Sequence, residues 1–419
     1  MTVWMAAIEA AALRYNQDCQ SEKVELLENE TMDAVQAAAG LSFELTDDQQ
    51  LLQKLARDFA AKEIIPRAEH FDRTAEFPID IINKGRKVGL VNLNIPLEYG
   101  GPGASVLEEC IVGEELAYGC SGISTAMSVN NLSSLPIMLG GTAEQKEYWL
   151  GERMVGRGDL AAYCVTEPGA GSNVAGMQMR AERVNGHYVL NGSKIFISNV
   201  NYASFYTVFA VTDPEKKHRG ISCFIVERDT PGIRVSKHFD KLGQRAADTA
   251  EIVFENVEVP AENRIGEEGM GFLLAMTVFD HSRPGVAAGA VGVARRALEE
   301  CVKYAKERET FGQPIWQHQA IGHKIANMAI NVEAARLLTW QAAWLVDQGV
   351  SNPKVVAAAK AFAADMAMQV TVDAVQVFGG YGYMREYPVE KLMRDIKVFQ
   401  IYEGTSEIQR NIIVRELFR

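Results

Sequence analysis

Along this chain of 419 residues the hydrophobic period changes twice. Up to about residue 158 apolar residues recur at helical spacing, as in "LTDDQQLLQKLARDFAAKEIIP", where Leu51, Leu55, Phe59 and Ile64 fall on successive turns. From there to about residue 265 the pattern alternates, and from Gly271 to the end it is helical again. A period of 3.6 and a period of 2 place the same side chains on different faces, so neither stretch can take the other's form. The chain is therefore expected to be α+β. The expected parts are an N-terminal helical domain over 41–158, a middle β-domain over 159–270 and a C-terminal four-helix bundle over 271–419.

Local signals fill in this outline. Thr46 and Asp47 are candidate caps for the first helix, with Pro66 as its stop. "DIINKGRKVGL", "VLEECIVGEELAYG" and "AEQKEYWLGERMVG" read as further helices, and "GGPG" as a loop. "AERVNGHYVLNGSKIFISN" alternates around two Asn-Gly pairs, each a hairpin-turn signal. "FYTVFAVT", "GISCFIVE", "GIRVSK" and "TAEIVFENVEVP" read as strands, with turns too close together for βαβ crossovers. "FDHSRPG" is expected to open a helix with Pro284 near its first turn. The long amphipathic stretches that follow end in the pair Gly379–Gly380, a proper helix stop.

Composition narrows the function classes. A net charge of −12 and a pI near 5.2 suit neither nucleic acid nor an anionic membrane surface. No apolar run reads as long enough to cross a bilayer, so membrane insertion is not expected. The cysteines show no C-x-x-C spacing and point to a reducing compartment. His318 and His323 have the wrong spacing for one helix face, and no metal site is expected. Residues 1–40 are acidic, unlike a transit peptide, and lack the positive start of a signal peptide. They are expected to be a poorly ordered extension. The expected location is bacterial cytoplasm or mitochondrial matrix, not the secreted fraction.

Five stretches carry candidate chemistry. In "IYEGTSEIQR", Glu403 stands between Tyr402 and Gly404, just before a capping box read as Ser406 to Gln409. Glu403 is either a solvated loop charge or a carboxylate that its aromatic neighbour helps to dry, beside a glycine that admits a ligand. "YCVTEPGAGSNVAG" offers loop amides with Thr166 and Ser172 hydroxyls, fit for a heteroaromatic ring or a phosphate, or else a tight inter-domain turn. It lacks the strand–turn–helix setting of a dinucleotide fingerprint. "ERETFG" puts Arg308 at a helix end, where the dipole favours it in any case. "FGGYGY" could be a helix stop alone. In "FDHSRPG", Arg283 could hold an anion or pair with Asp280.

Taken together, "YCVTEPGAGS", "GSKIFISN", "TFGQPIWQHQAIGHKIANM", "AVQVFGGYGYMREYPVEKLMRD" and "IYEGTSEIQR" resemble the acyl-CoA dehydrogenase family, in order, over residues 42–419. "KEIIP", "EELAYGCSG" and "FDHSRPGVAAGAVGVARRAL" bring its medium-chain branch closest. The resemblance implies FAD at a dimer interface, a homotetramer built as a dimer of dimers, and an acyl-CoA substrate. It implies Glu403 as the base that removes the α-proton in fatty acid β-oxidation. Its backbone N–H would help hold the thioester oxygen, the β-hydrogen would leave as hydride to the flavin, and electrons would pass to electron-transferring flavoprotein. It further implies that Tyr163, Val165, Thr166, Gly171 and Ser172 form the flavin loop, with Ser172 also near CoA, and that Phe196, Ile197 and Ser198 form a second flavin strand. Arg308, Thr310, Phe311, His318, Gln319, Gln376, Gly379 and Gly380 would contact FAD, several of them from the neighbouring subunit. Thr405, Ser406 and Glu407 would do so at the helix after the base. Asp280, Ser282, Arg283, Tyr402 and Gly404 would face substrate, and Glu114 or Glu115 would lie near the closed end of the acyl cavity.

This sequence departs from the family pattern in places. Phe196 stands where the family usually has Trp, Ser198 where Thr is common and Asn173 where Asp is frequent; "TDPEKKHRG" is a shortened loop. Ile123 and Ser124 replace the Tyr and Arg that glutaryl enzymes use against a second carboxylate. An acyl-CoA dehydrogenase of another chain length, an acyl-CoA oxidase and a flavin-bound scaffold are the alternatives. The oxidases' extra C-terminal domain and a scaffold's dispensable base both speak against the latter two.

Overall fold

A computed structural model describes residues 43–419. The 1–40 extension lies outside the described residues. Helix α1, Asp47–Phe59, starts at Thr46, whose hydroxyl accepts from the Gln49 N–H while Gln49 Oε1 accepts from the Thr46 N–H. Pro66 does not stop the chain as expected. A π turn, Ala60–Ile64, and a tight turn, Ile65–Arg67, lead on into α2, Ala68–Thr74. Pro66 opens the new turn, where a missing N–H costs no hydrogen bond. Helix α3, Ile79–Lys87, follows.

Helix α4, Val106–Gly140, starts at Ser105 and breaks at Cys120, whose φ of −167° and ψ of 117° are extended. Its two arms fold back on one another, as the Asn131 Nδ2 bond to Glu109 Oε2 at 2.8 Å requires. Helix α5, Ala143–Gln145, runs into a π segment, Lys146–Arg157.

The strands are β1 Ala161–Cys164, β2 Arg180–Val184, β3 His187–Ser198, β4 Phe205–Val211, β5 Ile221–Glu227, β6 Ile233–Val235, β7 Thr249–Pro260 and β8 Arg264–Ile265. They form a sheet in the order β6-β7-β3-β2-β4-β5-β8, with β1 beside β4. β1 and β2 run parallel to β4; the other pairings are antiparallel.

Asn185 and Gly186, at φ 48° and 88°, turn β2 into β3 as the Asn-Gly signal requires. The second Asn-Gly pair is not a turn. Asn191 and Gly192 lie inside β3, where the register with β7 shifts, and a Cβ on Gly192 would meet Met179 at 2.8 Å. The glycine serves a bulge under close packing.

The C-terminal helices are α6 Gly271–Glu307, α7 Gln319–Asp347, α8 Pro353–Phe378, α9 Pro388–Ile396 and α10 Ser406–Leu417. A short hairpin, β9 Glu309–Thr310 with β10 Gln313–Pro314, joins α6 to α7. Pro284 does not open a helix: α6 starts at Gly271 and carries Pro284 in its interior. Its buried stripe of small residues presses α6 against α4, so closely that a Cβ on Gly292 would meet the Glu114 carbonyl oxygen at 2.2 Å. The bundle core joins Ala294, Met328, Ala367 and Phe378 from α6, α7 and α8.

The segment Pro353–Tyr383 corrects the expectation about apolar runs. It is long and apolar enough to cross a membrane, yet 61% of its apolar 18-residue window is buried inside the fold. A core helix meets the same length and composition test as a spanning one.

Candidate active site

The end of α9, the loop that carries Glu403 and the start of α10 meet the middle of α6. Glu403 and Gly404 have φ of 51° and 91°, two left-handed residues in succession. For glutamate that conformation is strained by about 1–2 kcal/mol, and such strain persists only where surrounding contacts over-determine it. Here they do. The Glu403 carbonyl accepts from Arg283 Nε at 3.2 Å and from Gln409 Nε2 at 3.1 Å. The Gly404 carbonyl accepts from Gln409 Nε2 at 3.0 Å and from Lys360 Nζ at 2.6 Å. The reversal delivers the chain to Thr405, which is the N-cap of α10 and accepts from the Ile408 N–H. The capping box read at Ser406 is therefore off by one residue. Ser406 is buried with its hydroxyl on Asp365, and Gln409 holds the loop rather than the cap.

The same reversal turns the Glu403 side chain into a cavity of about 1020 Å³. Ser282 Oγ donates to Glu403 Oε2 at 2.5 Å. Burial pushes the Glu403 carboxyl above the ordinary carboxylate range, while the Ser282 hydrogen bond, Arg283 and Lys360 pull the other way. Arg283 is buried and pairs with Asp280 at 2.9 Å, one of its two expected roles, and it also grips the loop that carries Glu403. The Tyr402 hydroxyl is turned toward Gln244 and Thr125.

Opposite lies the loop after β1. A fully buried Lys194 donates to the Val165 carbonyl at 3.0 Å and to Glu167 Oε1 at 2.8 Å. Glu167 in turn accepts from the Gln178 and Met179 N–H groups, so the loop is pinned beneath its exposed edge. Phe196 sits at φ 59° where β3 and β7 lose register and is 64% exposed, with its ring 5.8 Å from Phe239. A bulky residue at positive φ is an outlier that points to function.

Tyr163, Val165, Thr166, Gly171, Ser172, Phe196, Ile197, Ser198, Asp280, Ser282, Arg283, Tyr402, Glu403, Gly404 and Thr405 thus share one cavity. Glu407 is exposed beside it and Ser406 faces away.

The other expected cofactor residues do not meet this cavity within one chain. Arg308, Phe311, Gln319, Gln376, Gly379 and Gly380 are exposed on the bundle, with Phe311 97% exposed. The Arg308 guanidinium lies 5.7 Å from the Tyr381 ring, and Thr310 Oγ1 bonds His318 Nε2 at 3.0 Å. Glu114 and Glu115 are not cavity residues either. Glu114 pairs with Arg336 and Arg295, and Glu115 with Arg57 and Arg295, because two buried carboxylates so near each other need cations.

The carboxyl of this arm of α4 that does line the cavity is Glu109. Sequence reasoning missed Glu109 and Lys360. Their signal was an ionisable residue on an otherwise apolar helical stripe, Glu109 before Val112 and Leu116 and Lys360 within "VVAAAKAFAADM".

The cavity wall fits a large planar ring with a polar tail. The Tyr163 hydroxyl is buried without a partner, Gln244 Nε2 likewise, and a Cβ on Gly171 would meet nothing within 4 Å. Hydroxyls of Thr166, Ser172 and Ser198 stand around the same space.

Comparison with known proteins gives this site a class. Models of the acyl-CoA dehydrogenase N-terminal, middle and C-terminal domains match residues 46–157, 162–257 and 269–418. An acyl-CoA dehydrogenase of Bacillus subtilis (strain 168) is 45% identical over 374 residues, 89% of this chain and 98% of its own. A probable mitochondrial medium-chain specific acyl-CoA dehydrogenase of Caenorhabditis briggsae is 43% identical, over 90% of this chain and 92% of its own. The structure of butyryl-CoA dehydrogenase from Megasphaera elsdenii superposes with a TM-score of 0.88 at 42% identity, covering 90% of this chain and all of that one. Fold and site together are those of a flavoprotein oxidoreductase. The chain belongs to the acyl-CoA dehydrogenase family, with the activity of that name and FAD as cofactor.

Proposed function

We propose that this chain dehydrogenates straight, medium-length acyl-CoA esters at Cα–Cβ in fatty acid β-oxidation, with Glu403 as the base. The observation that carries the reading is the Glu403 carboxyl itself. It faces the cavity from a strained, over-determined loop, with raised proton affinity and one oxygen on Ser282. A base whose proton affinity approaches working pH transfers protons best. The α C–H proton passes to Glu403, the Cα–Cβ double bond forms, and the β-hydrogen leaves with its electron pair. Bound FAD supplies the acceptor for that pair, and electron-transferring flavoprotein is the proposed next carrier. The proposed cradle for FAD is Tyr163, Val165, Thr166, Gly171, Ser172, Phe196, Ile197, Ser198 and Thr405, with the Tyr163 hydroxyl free to bond it.

The largely exposed group Arg308, Phe311, Gln319, Gln376, Gly379 and Gly380, with the half-buried Thr310 and His318 beside it, is proposed to complete a second copy's cofactor site in a homotetramer. Its exposure within one chain supports this. Medium length is supported by the apolar wall from Val112, Leu116, Leu132 and Leu135. A chain too short leaves that wall wet, at about 0.8 kcal/mol per unburied CH₂. The three parts 41–158, 159–270 and 271–419 are proposed as its domains.

Anaerobic bleaching of the yellow protein by C4, C8, C12, isovaleryl and glutaryl CoA esters tests this. Octanoyl-CoA or a near neighbour is expected to reduce it fastest among these. Admitting air or electron-transferring flavoprotein separates dehydrogenase from oxidase. A best substrate of glutaryl or isovaleryl type would overturn the reading.

A further inference from the structure

The far end of the cavity contains a carboxyl that the reaction does not use. Glu109 lies on the first arm of α4 and Asn131 on the second, and both line the cavity. The orientation of the Asn131 amide is set by the Leu93 N–H, which donates to Asn131 Oδ1 at 3.2 Å. The amide nitrogen is thereby left to donate to Glu109 Oε2 at 2.8 Å. Among the described residues no lysine, arginine or histidine lies within ion-pair distance of Glu109. The charged group that acts on it is Asp347, a second carboxylate, which caps the Val106 and Leu107 N–H groups and has His281 near it. Burial above all, with Asp347 adding to it and the Asn131 hydrogen bond opposing it, pushes the Glu109 carboxyl up to about 8. Among the described residues no hydrogen bond reaches Glu109 Oε1, and Glu109 lines the cavity together with Leu93, Val112, Leu132 and Leu135.

Its depth places it at the end of an acyl chain. Thr125 stands beside Tyr402, at the level of the base. From residue 125 to residue 131 the second arm rises about 9 Å, the scale of a medium-length acyl group. A plain alkyl end would displace water from Glu109 Oε1 and leave a polar group unpaired in an apolar setting, a cost that buried polar groups impose on any ligand that cannot match them.

We propose that Glu109, set by Asn131, selects acyl-CoA esters that bear a hydrogen-bonding hydroxyl or an ammonium at the far end of the acyl chain. A hydroxyl completes the free oxygen whether the carboxyl is protonated or ionised, and an ammonium pairs with its ionised form, whereas a terminal carboxylate brings a second negative charge near Asp347 with no cation to meet it. This rests on the dehydrogenase reading above and sharpens its substrate class.

The test compares kcat/KM for octanoyl-CoA, ω-hydroxyoctanoyl-CoA, ω-aminooctanoyl-CoA and the ester of octanedioic acid, with six- and ten-carbon hydroxy esters to bracket the register. In the unaltered enzyme the better donor ester is expected to exceed octanoyl-CoA by about tenfold or more, and the dioic ester to be the poorest. Hydroxy and amino arms identify which donor is taken. Glu109→Leu should raise the rate with octanoyl-CoA and bring the donor-to-plain ratio below one. Glu109→Gln, which can still accept from a hydroxyl, should keep the hydroxy preference and improve the dioic ester. A Glu109 that only straps the arms of α4 together would change stability in both variants and leave every ratio alone. Unchanged ratios in Glu109→Leu, with octanoyl-CoA still bleaching the flavin, overturn the proposal while sparing the dehydrogenase reading. Failure of every ester to bleach it overturns that reading, and this proposal with it.

Discussion

Replacing Ser282 with alanine removes one hydrogen bond from the proposed base and nothing else that touches it. The bond is charge-assisted when Glu403 is ionised, and it is the largest influence holding that carboxyl down against burial. Hydrogen bonds to charged groups contribute about 1.5–3 kcal/mol. Cavity water can take the place of part of this one, so the lower figure is the working value, which is about a tenfold change in an equilibrium constant.

The direction follows from the chemistry of the base. Ser282 favours the ionised form, its loss favours the protonated form, and only the ionised form accepts the α-proton. In Ser282→Ala the rate of anaerobic flavin bleaching by octanoyl-CoA should rise with pH, as in the parent. Its rising limb should lie at higher pH, with about tenfold less activity at any pH on that limb. The plateau rate at high pH should change much less, since Arg283, Gln409 and Lys360 still hold the loop. Stopped-flow bleaching across pH reads both quantities. A limb that stays in place, or moves toward acid, would refute the claim that this hydroxyl tunes the base. An equal loss at every pH would mean that Ser282 positions substrate instead.

Three further outcomes are expected. Glu403→Gln should keep FAD while bleaching falls by more than the roughly 10²–10⁴ usual for loss of a general base, and adding Ser282→Glu should restore part of the rate. The same Glu403→Gln should be more stable than the parent by a margin that widens with pH. A carboxyl whose folded proton affinity is raised contributes its stability below the ordinary carboxylate range and loses it as pH climbs through the raised value; thermal melts at several pH values measure the margin. Arg308→Ala should lose cofactor and weaken the oligomer together, seen by absorbance and sedimentation, and full retention of both would exclude a shared site. Gly292→Ala should cost about 1–3 kcal/mol in urea denaturation, because its Cβ would meet a backbone oxygen that cannot move aside without parting α4 from α6.

The order helix, sheet, helix was legible in the chain because the period of apolar residues is a local property that burial on one face enforces. So were the Thr46 cap and the Asn185–Gly186 turn, each set by the chemistry of a few neighbouring residues. Glu403 was legible as a position, through the string that carries it. Its role as a strained residue gripped from α6, α8 and α10 was not, since Arg283, Lys360 and Gln409 reach it across the fold. Tertiary packing also overrode local signals. Pro284 sits inside a continuous helix, and Asn191–Gly192 became a bulge against Met179.

The buried carboxylates show the division most clearly. The sequence carries Glu108, Glu109, Glu114 and Glu115 within one expected helix, "VLEECIVGEELAYG". Only the fold-back at Cys120, and the approach of α6 and α7, decided their partners: Glu114 and Glu115 received arginines, and Glu109 received an amide and an open cavity. A carboxylate's character depends on what desolvates and pairs it, and those groups come from elements far away in the chain.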